Sequence, residues 1–220
     1  MNNCPVRENQ IKSHFRLLAY VTALVVALMA ARPQPTYAEP VTPPSVPANI
    51  QAPAGNKLFL VGRAVGTQNY ICLPSDTGVK FVLFTPQATL FDHYQQVTTH
   101  YFSPNPAEGG VIRAAWQHSK DSSTVWGQVM DGHSSTDPAF VAPGAIPWLL
   151  ITVVGTQAGR TGNDTLTATT FIQRLNTSGG VAPTTGCASL ADVGNRAYVP
   201  YTTDYYFYKK NGAGAAPNYR

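Results

Sequence analysis

Four histidines beyond the N-terminal segment, His93, His100, His118 and His133, are the first candidates for chemistry in this chain. In "DHYQQVTTH", His93 and His100 are seven residues apart. An extended strand puts residues an odd number apart on opposite faces, so the two make poor co-ligands unless the chain turns between them. "WQHSKDSSTVW" is more suggestive. It puts Trp116 and His118 on one strand face, Asp121 in a turn and Trp126 on the returning strand. His100, His118 and Asp121 together could hold a metal ion or act in hydrolysis, because imidazole and carboxylate are zinc-type donors. Ser103, Ser119 and Ser122 also allow a Ser–His arrangement. No HExxH, G-x-S-x-G or Walker loop accompanies them, and neither a metal nor a cofactor is implied. Unless the three converge, His100 and His118 read as surface or turn histidines whose replacement would cost the fold little.

Aromatic residues are the stronger signal. Tyr198, Tyr201, Tyr205, Tyr206, Phe207 and Tyr208 crowd the last apolar run, and Trp116, Trp126 and Trp148 lie in or beside others. Phenols and indoles can stack on sugar rings or form an amphipathic contact surface. That makes Trp116, Trp126, Tyr205, Tyr206 and Tyr208 candidate binding residues. Strands also favour aromatic residues for packing alone. Alternation puts Tyr206 and Tyr208 on one face and Tyr205 and Phe207 on the other, so one set must lie near the surface or under a loop.

The elements that must position these residues begin after a leader. Arg7, Lys12 and Arg16 precede an apolar run from Leu17 to Ala31, which Arg32 and Pro33 stop, and "TYA" ends at Ala38. That order predicts a secretory signal peptide over residues 1–38. The run is shorter than the roughly 20 residues a membrane-spanning helix needs, so no transmembrane segment is expected in the mature chain. Losing Arg7, Lys12, Arg16, Arg32 and Glu8 takes the formal charge from +4 to +1. The basic character belongs to the leader, which argues against nucleic acid as a partner. The alanine-rich leader reads as bacterial, so the mature protein is expected in the periplasm or outside the cell. No glycan is then expected at Asn163 or Asn176.

Residues 39–55 are proline-rich and predict an extended arm. From Lys57 onward nine short apolar or alternating runs are separated by Gly, Pro, Asn and Asp. They predict an all-β fold over residues 56–210, a single sandwich or barrel-like domain, with a frayed tail over 211–220. Only short helical turns fit, around Ala88–Tyr94 and Ala188–Val193. The proline-dense segment Asp137–Leu150 reads as a stiff loop covering one end of the domain. Cys4 leaves with the leader, so Cys72 and Cys187 are the mature chain's two thiols. Export favours a disulfide between them, and neither has the neighbours a metal site would want.

"GTQNYIC", "PQATLFD", "STVWGQV", "IPWLL", "FIQRLNTSGGVAPTTGC" and "VPYTTDYYFY", in that order, closely resemble the family DUF3455 from about Leu58 to Tyr208. The resemblance implies an exported, mostly β protein with Cys72 and Cys187 at the family's two cysteine positions. It implies no defined activity or catalytic residues. Some fungal relatives carry dehydrogenase labels, but this chain has no G-x-G-x-x-G in a βαβ unit, so a nucleotide-dependent dehydrogenase does not follow. The favoured expectation is a non-enzymatic exported domain that binds a glycan, a cell-envelope component or a protein. The alternative is a hydrolase or metal-dependent enzyme built on His100, His118 and Asp121.

The disulfide carries a test. A loop of more than 100 residues closed by one bond gives roughly 4 to 5 kcal/mol in chain-entropy estimates. Cys72→Ser and Cys187→Ser should therefore lower the melting temperature by similar amounts, and the double variant by no more than either. Additive losses would show that the two residues act separately.

Overall fold

The computed structural model describes residues 42–212. Residues 1–38, expected to be a signal peptide, the first residues of the expected arm and residues 213–220 lie outside the described residues. Eight strands follow one another: β1 (Asn56–Ser75), β2 (Gly78–Asp92), β3 (Gln95–Asn105), β4 (Val111–His118), β5 (Thr124–Ser135), β6 (Trp148–Gln157), β7 (Thr169–Gly179) and β8 (Arg196–Lys210). Each pairs antiparallel with the next, and β8 returns to β1 from Asn56↔Lys210 to Ile71↔Arg196. The sheet is therefore a closed barrel and not a sandwich. Closure leaves no open sheet edge between first and last strand.

Two sequence expectations change in register. "KLFLVGRAV" and "QNYICL" are one strand, because the intervening Gly66 continues the ladder, paired with Ala88 and Tyr201. A Cβ at Gly66 would overlap the Gln87 carbonyl and Ala88, so only glycine permits this approach of β1 to β2. Ala88–Tyr94 is not a helical turn. Ala88, Thr89 and Leu90 pair with His100, Thr99 and Thr98, and the chain reverses through His93 at φ 52°. The turn expected near Ala188–Val193 is present as a 3-10 helix over Leu190–Asp192.

Alternation sorts the side chains into two cores. Leu90, Trp116, Val125, Ile151, Ile172, Tyr205 and Phe207 fill the barrel interior. Ile50, Val141, Trp148, Leu150, Leu175, Tyr206 and Tyr208 form a second cluster on the outer face. The arm is thus more than a lead-in: its 3-10 turn, Ala48–Ile50, buries Ile50 completely against β6, β7 and β8. Polar contacts fix the same place. Gln173 Nε2 donates to the Ile50 carbonyl at 2.6 Å, and Tyr208 Oη donates to Gln173 Oε1 at 2.6 Å. Asn49 Nδ2 reaches the carbonyls of Gly132 and Ser134.

Cys72 and Cys187 are bonded, joining the far part of β1 to the loop before β8 across 115 residues. The segment Asp137–Pro147 packs Phe140 and Val141 onto the outer cluster while Ile146 enters the inner one. Ile146 is held by Thr177 Oγ1 donating to its carbonyl at 2.6 Å.

The arm's contribution is measurable. Ile50→Ala removes a fully buried aliphatic side chain and should cost about 2 to 5 kcal/mol in urea unfolding. A loss under about 1 kcal/mol would mean that the arm rests on the barrel without stabilising it.

Candidate functional site

An eight-stranded barrel has an interior just wide enough to be filled by side chains or to hold one small ligand. In this one, side chains fill one half and a cavity remains in the other. At the end formed by the start of β5 and the finish of β4, the interior is plugged. Leu166 is fully buried there, on the loop between β6 and β7. Asp121 pins that loop: its Oδ2 accepts from Thr165 N (3.0 Å) and Oγ1 (2.6 Å), and its Oδ1 from Ser123 N (2.9 Å) and Oγ (2.7 Å). Burial pushes the Asp121 carboxyl upward, but these hydrogen bonds from Thr165 and Ser123 outweigh it and hold it well below the usual carboxylate range.

At the opposite end the wall parts. Ladder pairing between β2 and β3 stops at Ala88↔His100, and between β4 and β5 at Ala114↔Gly127. The tip of the β3–β4 hairpin therefore leaves both neighbours, with Phe102 N donating to Thr85 Oγ1 (3.0 Å) as a bridge to β2. A cavity of about 340 Å³ lies inside this end. Leu83, Phe102, Ile112, Val129, Leu149 and Ile151 make its apolar wall, on β2 to β6. Gln68, His100, Trp116, Arg174 and Tyr205 bring polar groups to it. Gly127 gives Trp116 its room, since a Cβ there would lie 3.2 Å from the indole and overlap Ile151.

The aromatic residues form one packed group. His100 stacks on Trp116 with ring centroids 4.2 Å apart and planes 7° from parallel. Tyr205 meets both edge-on, at 5.2 Å and 5.4 Å. His100 Nδ1 lies 2.9 Å from the Ala115 carbonyl. That oxygen only accepts, so Nδ1 carries the hydrogen and Nε2 keeps its lone pair. Burial pushes the imidazole pKa down to about 3, against the Ala115 hydrogen bond and helped by the charge of Arg174. Burial likewise raises the phenols of Tyr205 and Tyr201, with Arg174 opposing in both. The buried ring groups of the site are therefore neutral, and Arg174 brings a positive charge to them.

Several of its polar atoms lack partners. Among the described residues Gln68 Nε2, Trp116 Nε1 and Tyr205 Oη find no partner at full hydrogen-bond geometry. Weaker approaches link Tyr205 to Arg174 and to Tyr201, which lies beside the cavity next to Gln68. Such atoms are few in folded proteins and each needs a reason. Arg174 donates through Nε (3.2 Å) and Nη2 (2.8 Å) to the Pro147 carbonyl. The other cation of the lining, Arg113, is neutralised by a two-pronged pairing with Glu108.

The residues singled out from sequence divide clearly. His118 and Asp121 do meet, Nδ1 to Oδ1 at 2.9 Å, but at the plugged end, where Asp121 holds the loop. Among the described residues no three His, Cys, Asp or Glu side chains gather as metal ligands, so His100 does not join that pair. Nor is His100 a surface or turn residue. It is 4 % exposed inside the barrel, because β3 turns it inward opposite Trp116. Trp116 and Tyr205 line the cavity. Trp126 faces the other way and donates Nε1 to Ser103 Oγ at 2.8 Å. Tyr206 and Tyr208 lie in the outer cluster beneath the arm. Gln68 and Arg174 were missed. Gln68 stands in the polar stretch Thr67–Asn69 and Arg174 directly follows Gln173, so neither stands out until the strand's inner face is known.

A family model described as "Protein of unknown function (DUF3455)" matches residues 53–209. No curated protein and no solved structure matches the chain.

The buried histidine makes a pH-dependent prediction. Its folded pKa lies below the ordinary value of 6.5, so its share of stability is complete above pH 6.5. As pH falls from there toward 3, the unfolded chain takes up a proton that the folded one refuses, and stability declines. Asp121 acts in the same direction only below the ordinary carboxylate range. Urea unfolding of the wild type should therefore weaken between pH 7 and pH 5 with a slope approaching about 1.4 kcal/mol per pH unit. His100→Gln should flatten that slope, and equal slopes in both proteins would clear His100 of it.

Proposed function

The chain belongs to the DUF3455 family, whose function is not established, and we propose from its cavity that it is an exported, non-enzymatic barrel that binds one small, largely apolar molecule. The observation that carries this reading is the cavity of about 340 Å³, open at the end where β3–β4 parts from its neighbours. Ligand sites are typically concave and of this size or larger, mostly apolar, with a few placed polar groups. The rim adds exposed apolar side chains, Phe84, Ile112 and Met130 among them, which suit an apolar molecule entering from a membrane surface or from solution.

A long glycan or a protein partner fits less well. Sugar recognition by stacking needs an open ring face. His100 covers a face of Trp116, and Trp126 and Trp148 are 4 % and 5 % exposed. A small component of the cell envelope, or a molecule taken up from the surroundings in the periplasm or outside the cell, suits the enclosed site better. The hydrolytic or metal-dependent alternative has less support, since Asp121 is saturated by Ser123 and Thr165 and lies away from the cavity. Among the described residues no helix is long and apolar enough to cross a membrane.

Titration with the neutral fluorescent probe N-phenyl-1-naphthylamine tests the reading. Emission should rise to saturation at one probe per chain. Ala114→Phe, which pushes a ring into the cavity from β4, should weaken the probe at least tenfold while melting temperature and circular dichroism stay near wild type. A folded protein that leaves the probe dark, or binds it equally well with Ala114→Phe, would overturn the reading.

A further inference from the structure

Resting on that reading, we infer that the bound molecule carries a single carboxylate, held by Arg174 with Tyr205 and Gln68 while its apolar body lies against β2 to β6. The polar inventory of the cavity is lopsided. Gln68 Nε2 and Trp116 Nε1 can only donate, and among the described residues neither has an acceptor at full hydrogen-bond geometry, though Gln68 approaches the Tyr201 hydroxyl. The hydroxyls of Tyr201 and Tyr205 keep their hydrogens at neutral pH, because burial raises both pKa values. At full hydrogen-bond geometry neither hydroxyl has a partner among the described residues, though the two approach each other and Arg174 approaches Tyr205. The acceptors beside them, His100 Nε2, Gln68 Oε1 and the Tyr205 hydroxyl oxygen, are all uncharged. A site so rich in unmet donors suits a ligand group rich in acceptors.

Charge narrows the choice. Arg174 lines the cavity, and its positive charge acts on Tyr70, His100, Tyr201 and Tyr205. Two of its donors are used by Pro147, and a guanidinium has five. Among the described residues no carboxylate lies within ion-pairing distance of it. A cation in a partly buried, apolar site without a counter-charge is costly unless something brings one. One guanidinium suits one negative charge, and a carboxylate offers a planar pair of oxygens that Arg can fork. The opposite wall, with Leu83, Phe102, Ile112 and Val129, asks for an alkyl or aryl body. Neutral His100 fits the same picture, since a second cation beside Arg174 would be repelled.

Calorimetry with two ligands that share a body tests this: decanoate and decan-1-ol at pH 7.4. The carboxylate should bind about tenfold or more tightly than the alcohol, the usual scale for a charge-assisted hydrogen bond in place of a neutral one. Arg174→Met should bring the two to near parity by weakening decanoate alone. Arg174 also holds Pro147, so a second variant guards against a folding defect: Tyr205→Phe keeps the ring, removes one donor, and should weaken decanoate severalfold more than the alcohol. Equal binding of acid and alcohol to the wild type would overturn the carboxylate while leaving the apolar cavity standing. Binding of neither, with N-phenyl-1-naphthylamine also unbound, would remove the cavity reading itself.

Discussion

Closure of the sheet by β8 is the constraint on which the rest of the structure depends. One strand is hydrogen-bonded to β7 on one side and to β1 on the other, so its side chains have only two places to go. Tyr205 and Phe207 go inward and Tyr206 and Tyr208 outward. Of the inward pair, Tyr205 lines the cavity and Phe207 packs edge-on against Trp116. The outward pair creates an apolar outer surface that the arm must cover, and Gln173 ties the two together by donating to Ile50 and accepting from Tyr208. The disulfide reinforces the same closure, because Cys187 precedes β8 and Cys72 lies on β1. Such pairings are remote in sequence and costly in loop entropy, so a cross-link there constrains the unfolded chain strongly.

The two ends of the barrel handle buried polar groups in opposite ways. At the plugged end Asp121 meets four donors from Ser123 and Thr165, a satisfied network that rigidifies the loop carrying Leu166. At the open end several donors have no partner at full hydrogen-bond geometry, and among the described residues Arg174 has no carboxylate within ion-pairing distance. A protein that had only to fold would gain stability by filling this space with aliphatic side chains. Unmet groups gathered in one concave place are what the proposed ligand site would use. His100 illustrates the balance. Its ring fills space as an aromatic core residue does, stacked on Trp116, and burial keeps it neutral beside a guanidinium.

Much of this was legible in the chain and some was not. Period-two alternation and turn residues determined an all-β fold over about 56–210, and two cysteines in a chain read as exported pointed to their pairing. The alternation in "YYFY" also required that one aromatic pair face outward and be covered, because a strand has two faces whatever its partners. Which face was inner, and whether the sheet closed, had to wait for the tertiary structure. Sandwich and barrel share the same local pattern and differ only in whether β8 finds β1, a contact between chain ends that no short window of sequence records. His100 passed for a turn histidine for the same reason. Its burial is set by Trp116 across the ladder and by Tyr205 from β8, 105 residues on. Arg174 and Gln68 look like ordinary polar interruptions of strands. Only closure turns them inward, because the strand alone sets which residues share a face, and packing alone decides which face meets water.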